Sequence, residues 1–82
     1  MLSFRQVDAL IERGPPSVTV PCRRQILIEL SEQARKSRSH TPVSRARLRA
    51  FRAALENFEG TDEVEVCGET LMEVAMYALE TL

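Results

Sequence analysis

Residues that build metal and catalytic sites are scarce in this sequence. His40 is the only histidine, and the two cysteines, Cys22 and Cys67, form no CxxC pair. A structural zinc site takes four cysteine or histidine ligands in close pairs, so this sequence excludes one. The three glycines are isolated, which excludes a glycine-rich phosphate-binding loop. We therefore predict a protein that is not an enzyme and has no cofactor and no metal.

The histidine and the cysteines are interpreted as structural or solvated residues. His40 stands in a polar segment beside Ser37, Arg38 and Ser39, and nothing in the local sequence indicates that a Ser or Cys is held against its ring, so we interpret it as a solvated loop residue and not as a catalytic base. Cys22 and Cys67 are interpreted as free and buried. A single disulfide between them, formed in an oxidising compartment, is the alternative.

Long apolar segments are missing as well. Leu2–Ile11 is interrupted by Arg5, Gln6 and Asp8, so it cannot serve as the apolar region of a signal peptide. No stretch approaches the roughly 20 apolar residues that a membrane-spanning helix needs. We therefore predict a cytoplasmic protein without a membrane partner.

Aromatic residues are rare, with three Phe, one Tyr and no Trp in 82 residues. Aliphatic side chains and methionine must therefore supply the core, and these suit helix packing. A chain of this length forms one domain, which we place over residues 1–82. Such a domain buries only about 60–65% of its unfolded surface, so it needs a dense core or a partner subunit.

Basic residues are absent from the C-terminal third of the chain. Residues 53–82 hold eight acidic residues and no Lys or Arg, whereas residues 1–52 hold all 11 basic residues and four acidic ones. The two parts have charges of −8 and +7, which add to the formal net charge of −1. So sharp a division indicates that an acidic segment packs near a basic one, within one chain or between two.

Apolar periodicity predicts four helices, over residues 4–13, 21–36, 42–58 and 69–82. Ser3 and Gln6 have the spacing of a capping box before the first helix, and the Gly-Pro-Pro sequence at 14–16 ends it. Pro21 suits the first turn of the second helix, and Thr41 suits the N-cap of the third.

Two short segments alternate polar and apolar residues, as strands do. They are residues 17–20 and 64–67, and if both are extended they can pair as a two-stranded ribbon. We therefore predict an all-α fold, a four-helix small domain, with a short β-ribbon between 17–20 and 64–67 as an optional addition. No internal repeat is apparent.

The Ser-Val-Thr-Val-Pro sequence before the second helix is similar to the start of ribbon-helix-helix regulators. In that family a short strand precedes two helices and pairs with the same strand of a second copy. The similarity covers Ser17–Ala34. The next predicted helix starts later, after a longer loop, than the family pattern has, so the resemblance assigns the chain to no family.

The last predicted helix is apolar around most of its circumference, with Glu69, Glu73 and Glu80 as a narrow polar strip. An ordinary surface helix has an apolar arc of a little over 100°. This helix is therefore either the centre of the domain or the seam of a homodimer. The residues predicted to bind a protein partner are Leu71, Met72, Val74, Met76, Leu79 and Leu82, with Glu69 and Glu73 beside them.

The second and third predicted helices and the loop between them are rich in arginine. A guanidinium group can bind a phosphate through two hydrogen bonds, so residues 23–52 are a candidate helix-loop-helix for nucleic acid. The predicted nucleic-acid-binding residues are Arg23, Arg24, Arg38, Arg45, Arg47, Arg49 and Arg52, and Arg35 and Lys36 belong to the same stretch. Against this, the segment has few of the Asn and Gln residues that read adenine.

The leading functional prediction is a non-enzymatic regulatory or interaction protein. It would act as an inhibitor, anti-activator or adaptor that binds a protein partner through the apolar C-terminal helix and charged faces. A homodimer is expected, and the acidic run from Glu56 to Glu73 would suit a basic partner. The alternative is a nucleic-acid-binding transcriptional regulator that uses the arginines of residues 23–52.

Overall fold

The computed structural model describes residues 2–13 and 17–82. Its elements are α1 (Phe4–Arg13), β1 (Thr19–Arg23), α2 (Arg24–Arg35), α3 (Pro42–Glu56), β2 (Glu63–Cys67) and α4 (Gly68–Leu79). The predicted all-α class is wrong, because the two strands form an antiparallel sheet whose inner face belongs to the core. The fold is a small mixed α/β domain. The predicted end of the first helix, residues 14–16, lies outside the described residues.

The sheet explains why the predicted start of the second helix is also wrong. Residues 21–23 continue β1, which pairs with β2 from Thr19↔Cys67 to Arg23↔Glu63. Backbone N–H groups of Arg24 and Gly68 donate to Asp62 and Val18 at the two ends of the ladder, each at 2.8 Å. Because bonded pairs alternate in an antiparallel ladder, Pro21 takes a position whose backbone faces away from β2, and its missing N–H costs no ladder bond.

The structure contains an internal two-fold relation that we did not expect from the sequence. β1 runs directly into α2 as β2 runs directly into α4, with equivalent residues 44 positions apart, such as Thr19 and Glu63. α1 packs on α4, and α3 packs on α2. The centre of the relation lies at the Pro21↔Glu65 pair.

Burial follows the same relation. Four buried positions of α2 match four of α4, namely Leu27 with Leu71, Leu30 with Val74, Ser31 with Ala75, and Ala34 with Ala78. Only four of the 20 equivalent positions in residues 17–36 and 61–80 hold identical residues. The repeat is therefore one of burial pattern, which a comparison of residue identities does not detect.

α4 is the central helix of the domain, which was one of the two explanations offered for its wide apolar surface. It packs on α2 and on α1, and Leu71, Ala75 and Ala78 are fully buried. The helix ends at Leu79, and the following turn is held to α2 because the Thr81 hydroxyl donates to the Gln33 carbonyl at 3.1 Å.

Two further predictions are corrected by the structure. α3 ends at Glu56, before the predicted Phe58, whose side chain is exposed. The interpretation that both cysteines are buried holds for Cys22, on the inner face of the sheet, and is wrong for Cys67, which is exposed on the outer face. Both are free, so the alternative of a disulfide between them does not hold. No helix in the described part of the chain is both long and apolar enough to cross a membrane.

Candidate binding surfaces along the third helix

α3 is fixed at its start by a capping box and along one side by α2. The Ser44 N–H donates to the Thr41 hydroxyl at 3.1 Å, and the Thr41 N–H donates to the Ser44 hydroxyl at 2.8 Å. Leu48 and Leu55 are buried beneath the helix, which packs on α2 and stands off from α4. A groove therefore opens on each side of α3.

The loop before α3 is tied to both neighbouring helices by His40. One ring nitrogen lies 2.7 Å from the Ala34 carbonyl and the other lies 2.9 Å from the Ser44 hydroxyl. The ring stacks on Tyr77 of α4 with 4.1 Å between centroids. The interpretation of His40 as a solvated loop residue is therefore wrong, because the imidazole is half-buried and connects α2, α3 and α4.

The groove between α2 and α3 is basic. Its volume is about 400 Å³, and it is lined by Arg35, His40, Arg45, Leu48, Arg49, Arg52, Ala53 and Glu56. Arg35 and Arg52 both pair with Glu32, and the hydrogen bond from Arg35 followed by the charge of Arg52 lowers the pKa of that carboxyl group. The guanidinium groups of Arg45 and Arg49 are exposed and have no acidic partner among residues 2–13 and 17–82.

The groove between α3 and α4 is mainly apolar. Its volume is about 340 Å³, and it is lined by Ser44, Arg47, Leu48, Ala50, Phe51, Thr70, Glu73, Val74 and Tyr77. Arg47 of α3 and Glu73 of α4 form an ion pair at 3.0 Å between its two walls. Phe51 and Tyr77 are only half-buried, so aromatic surface remains available in this groove.

The seven arginines predicted to bind nucleic acid do not form one surface. Arg24 donates to the Leu55 carbonyl at 2.9 Å, Arg47 pairs with Glu73, and Arg23 lies opposite Glu63 on the outer face of the sheet. Arg38 is exposed in the loop between α2 and α3. Only Arg45, Arg49 and Arg52 remain together, and Arg35 joins them.

The residues predicted to bind a protein partner divide between core and surface. Leu71 and Val74 are buried in the chain's own core, but Val74 also lines the apolar groove beside α3, whereas Leu71 lines neither groove of that helix. Met72 and Leu79 are half-buried, whereas Met76 and Leu82 are 58% and 45% exposed. Glu69 is exposed and Glu73 pairs with Arg47. Phe51 and Tyr77, which line the apolar groove, were not among the predicted residues.

The outer face of the sheet carries acidic side chains. Glu63 and Glu65 are exposed on β2, with Arg23 and Pro21 opposite them on β1. Proteins that read DNA with a β-ribbon place such outward side chains in the major groove. Two carboxylates there repel phosphate, so the partial resemblance to ribbon-helix-helix regulators does not extend to this face.

Few ion pairs join the basic and acidic parts of the chain, although Arg23 lies opposite Glu63 and Glu56 lines the basic groove. Among the described residues, Arg47–Glu73 is the only ion pair that joins residues 1–52 to residues 53–82. No three His, Cys, Asp or Glu side chains among residues 2–13 and 17–82 are arranged to hold a metal ion.

Comparisons with protein-family models, with curated proteins and with solved structures found no match to this chain.

Proposed function

We propose that this protein is a small non-enzymatic interaction protein that binds an acidic, partly apolar segment of a partner protein along α3. The observation that carries the proposal is the position of two different grooves on the two sides of one helix. The apolar groove supplies aromatic surface from Phe51 and Tyr77, and the basic groove supplies the unpaired guanidinium groups of Arg45 and Arg49.

The outward crest of α3 allows one segment to reach both grooves. Ala46, Ala50 and Ala53 are exposed there, and their small side chains let a partner backbone approach closely. A partner lying across the crest would place apolar side chains against Phe51 and carboxylates against the arginines. Hydrogen bonds between guanidinium and carboxylate groups are about twice as strong as those between neutral groups.

The dimensions of α3 suit a helical segment of the partner. Its 15 residues span about 22 Å, or four turns. An amphipathic helix laid into such a groove is recognised through apolar residues on one face, three or four positions apart. In this arrangement the acidic residues of the partner helix would flank that apolar face.

Site-specific photo-crosslinking in cells of the source organism tests the proposal. A benzophenone amino acid replaces Ala50 on the crest of α3 and, as the matched control, the exposed Ala9 of α1. We expect a discrete protein adduct from position 50 that is resistant to nuclease and absent from position 9. The double variant Arg45→Glu/Arg49→Glu should reduce its yield at least about ten-fold, the equivalent of about 1.4 kcal/mol. Equal adducts at both positions would contradict the proposal.

Nucleic-acid binding is a second candidate, favoured by the four arginines of the basic groove. Phosphate contacts make such binding steeply dependent on salt. If it occurs, a gel shift at low salt should be lost in Arg45→Ala/Arg49→Ala and retained in Arg5→Ala, whose arginine is exposed on α1. No shift of either DNA or RNA at low salt would exclude this candidate.

The predicted homodimer remains a proposal, and fewer of the predicted apolar residues are available for its interface. On α4 and the turn after it, Met76 and Leu82 are the large apolar side chains that stay exposed. Light scattering of wild-type protein and Met76→Glu tests this seam. A wild-type monomer at tens of micromolar would rule it out.

A further inference from the structure

We propose that the outer edge of β2 binds an extended, basic segment of another protein as a third strand of the sheet. This edge is separate from the grooves of α3, so the inference goes beyond the function proposed above. Three observations support it. The outward backbone groups of β2 have no hydrogen-bond partner within the described chain, the equivalent edge of β1 is blocked, and acidic side chains surround the unpaired edge of β2.

The first observation is that one edge of β2 is unpaired. Val64 and Val66 pair with Cys22 and Val20 and direct their backbone groups toward β1. Glu63 and Glu65 alternate with these two valines, so their N–H and C=O groups point away from β1, because bonded positions alternate along an antiparallel strand. No residue of the described chain makes a hydrogen bond to them.

The second observation is that the equivalent edge of β1 is closed. Pro21, which is equivalent to Glu65, has no N–H to donate, and its carbonyl accepts a hydrogen bond from Arg13 at 3.1 Å. Proline on an edge strand is a common means of preventing further strand pairing. The internal two-fold relation is thus broken in one respect, since only the edge of β2 can accept a strand.

The third observation, charge, selects the occupant. Glu63 and Glu65 are exposed beside the open edge, and the exposed Asp62 and Glu69 flank it. Arg23 lies opposite Glu63 but on β1, the strand farther from this edge. A second copy of the chain, paired antiparallel through the same edge, would bring like charges together, which is unfavourable. An extended segment with Lys or Arg at alternate positions instead places its cations beside these carboxylates, while its backbone completes the ladder.

A labelled peptide Lys-Val-Lys-Val-Lys-Val-Lys, followed by fluorescence anisotropy and by NMR amide exchange, tests the inference on the full chain. We expect saturable binding and slower exchange of the Glu63 and Glu65 amide protons. The variant Glu65→Pro gives β2 the residue that β1 has at the equivalent position, so it should remain folded and bind at least ten-fold more weakly. Arg45→Glu/Arg49→Glu should bind the peptide as the wild type does, which separates this site from α3.

Two controls distinguish strand addition from simple charge attraction. Glu65→Gln removes a carboxylate but keeps the N–H, so it should weaken binding less than Glu65→Pro. A peptide N-methylated at alternate residues keeps its charge but cannot complete the ladder, so it should not bind the wild-type protein. This control does not require Glu65→Pro to fold. Equal binding of the methylated and unmethylated peptides would overturn the inference. So would a wild-type dimer that Glu65→Pro dissociates, because the occupant would then be a second copy.

Discussion

A hydrogen bond between two side chains joins the C-terminal ends of α2 and α4. Ser37, just after α2, donates a hydrogen bond to Glu80, just after α4. This bond, followed by one from Ser39, lowers the pKa of Glu80 below its usual range. The interaction joins two positions that are far apart in the sequence, so a local pattern could not predict it.

The lowered pKa of Glu80 predicts a specific dependence of stability on pH. A carboxyl group with a folded-state pKa below its ordinary value stabilises the fold above that value, and the stabilisation is lost as pH falls through the ordinary and then the folded-state pKa. Glu80→Gln should therefore lose less stability than the wild type between about pH 6 and about pH 3. Urea unfolding across this range measures it, with the exposed Glu59→Gln as control. Identical pH profiles for wild type and Glu80→Gln would contradict the assignment.

Arginines illustrate what the sequence can and cannot predict about the candidate site. The spacing of Arg45, Arg49 and Arg52 places them on one face of a helix, and they do line one groove. Arg24 and Arg47 were assigned to the same function, yet their partners are the Leu55 carbonyl and Glu73, at 31 and 26 positions away. Such partners depend on tertiary packing, which helical periodicity does not encode.

Among the helices and strands, side-chain capping signals located the starts of two helices. The Ser3–Gln6 capping box and Thr41 mark the starts of α1 and α3, and both caps are present. Pro21 was misassigned because it suits both a first helical turn and an edge position of a strand. The open grooves beside α3 could not be predicted, because the angle at which α3 packs on α2 leaves no periodic signal in the sequence.

The central position of α4 predicts very different effects for two of its residues. Leu71 is fully buried and Met76 is 58% exposed on the same helix. Leu71→Ala should destabilise the fold by about 2–5 kcal/mol, because it removes buried contacts and leaves a cavity. Met76→Ala should change the free energy of unfolding by less than about 0.5 kcal/mol. Chemical denaturation measures both, and similar values for the two variants would argue against a self-contained core.

At the scale of the whole molecule, the two-fold relation organises the core, and its exceptions mark the candidate surfaces. Equivalent positions share burial because both βα units pack on each other around one sheet. The sequence conceals this, since burial requires only an apolar or small residue and not a particular one. Pro21 opposite Glu65 is where the symmetry of the sheet edges is broken.

The two-fold relation also predicts where proline is tolerated. Glu65→Pro should leave the fold intact, because the N–H at this position faces outward as it would at Pro21. Val66→Pro should destabilise the fold by at least about 2 kcal/mol, because it removes a ladder donor and leaves a buried carbonyl on β1 unpaired. Thermal unfolding of the two variants measures the difference. Similar losses from both would contradict the strand register.

The yield of crosslinked adduct from a benzophenone amino acid at position Ala50 measures whether a partner protein lies across α3. We expect one prominent adduct that survives nuclease treatment and contains an acidic amphipathic segment at the crosslinked site, with a yield that falls at least about ten-fold in Arg45→Glu/Arg49→Glu. An adduct whose yield is unaffected by those two charge reversals, or no adduct from position 50, would contradict binding across α3.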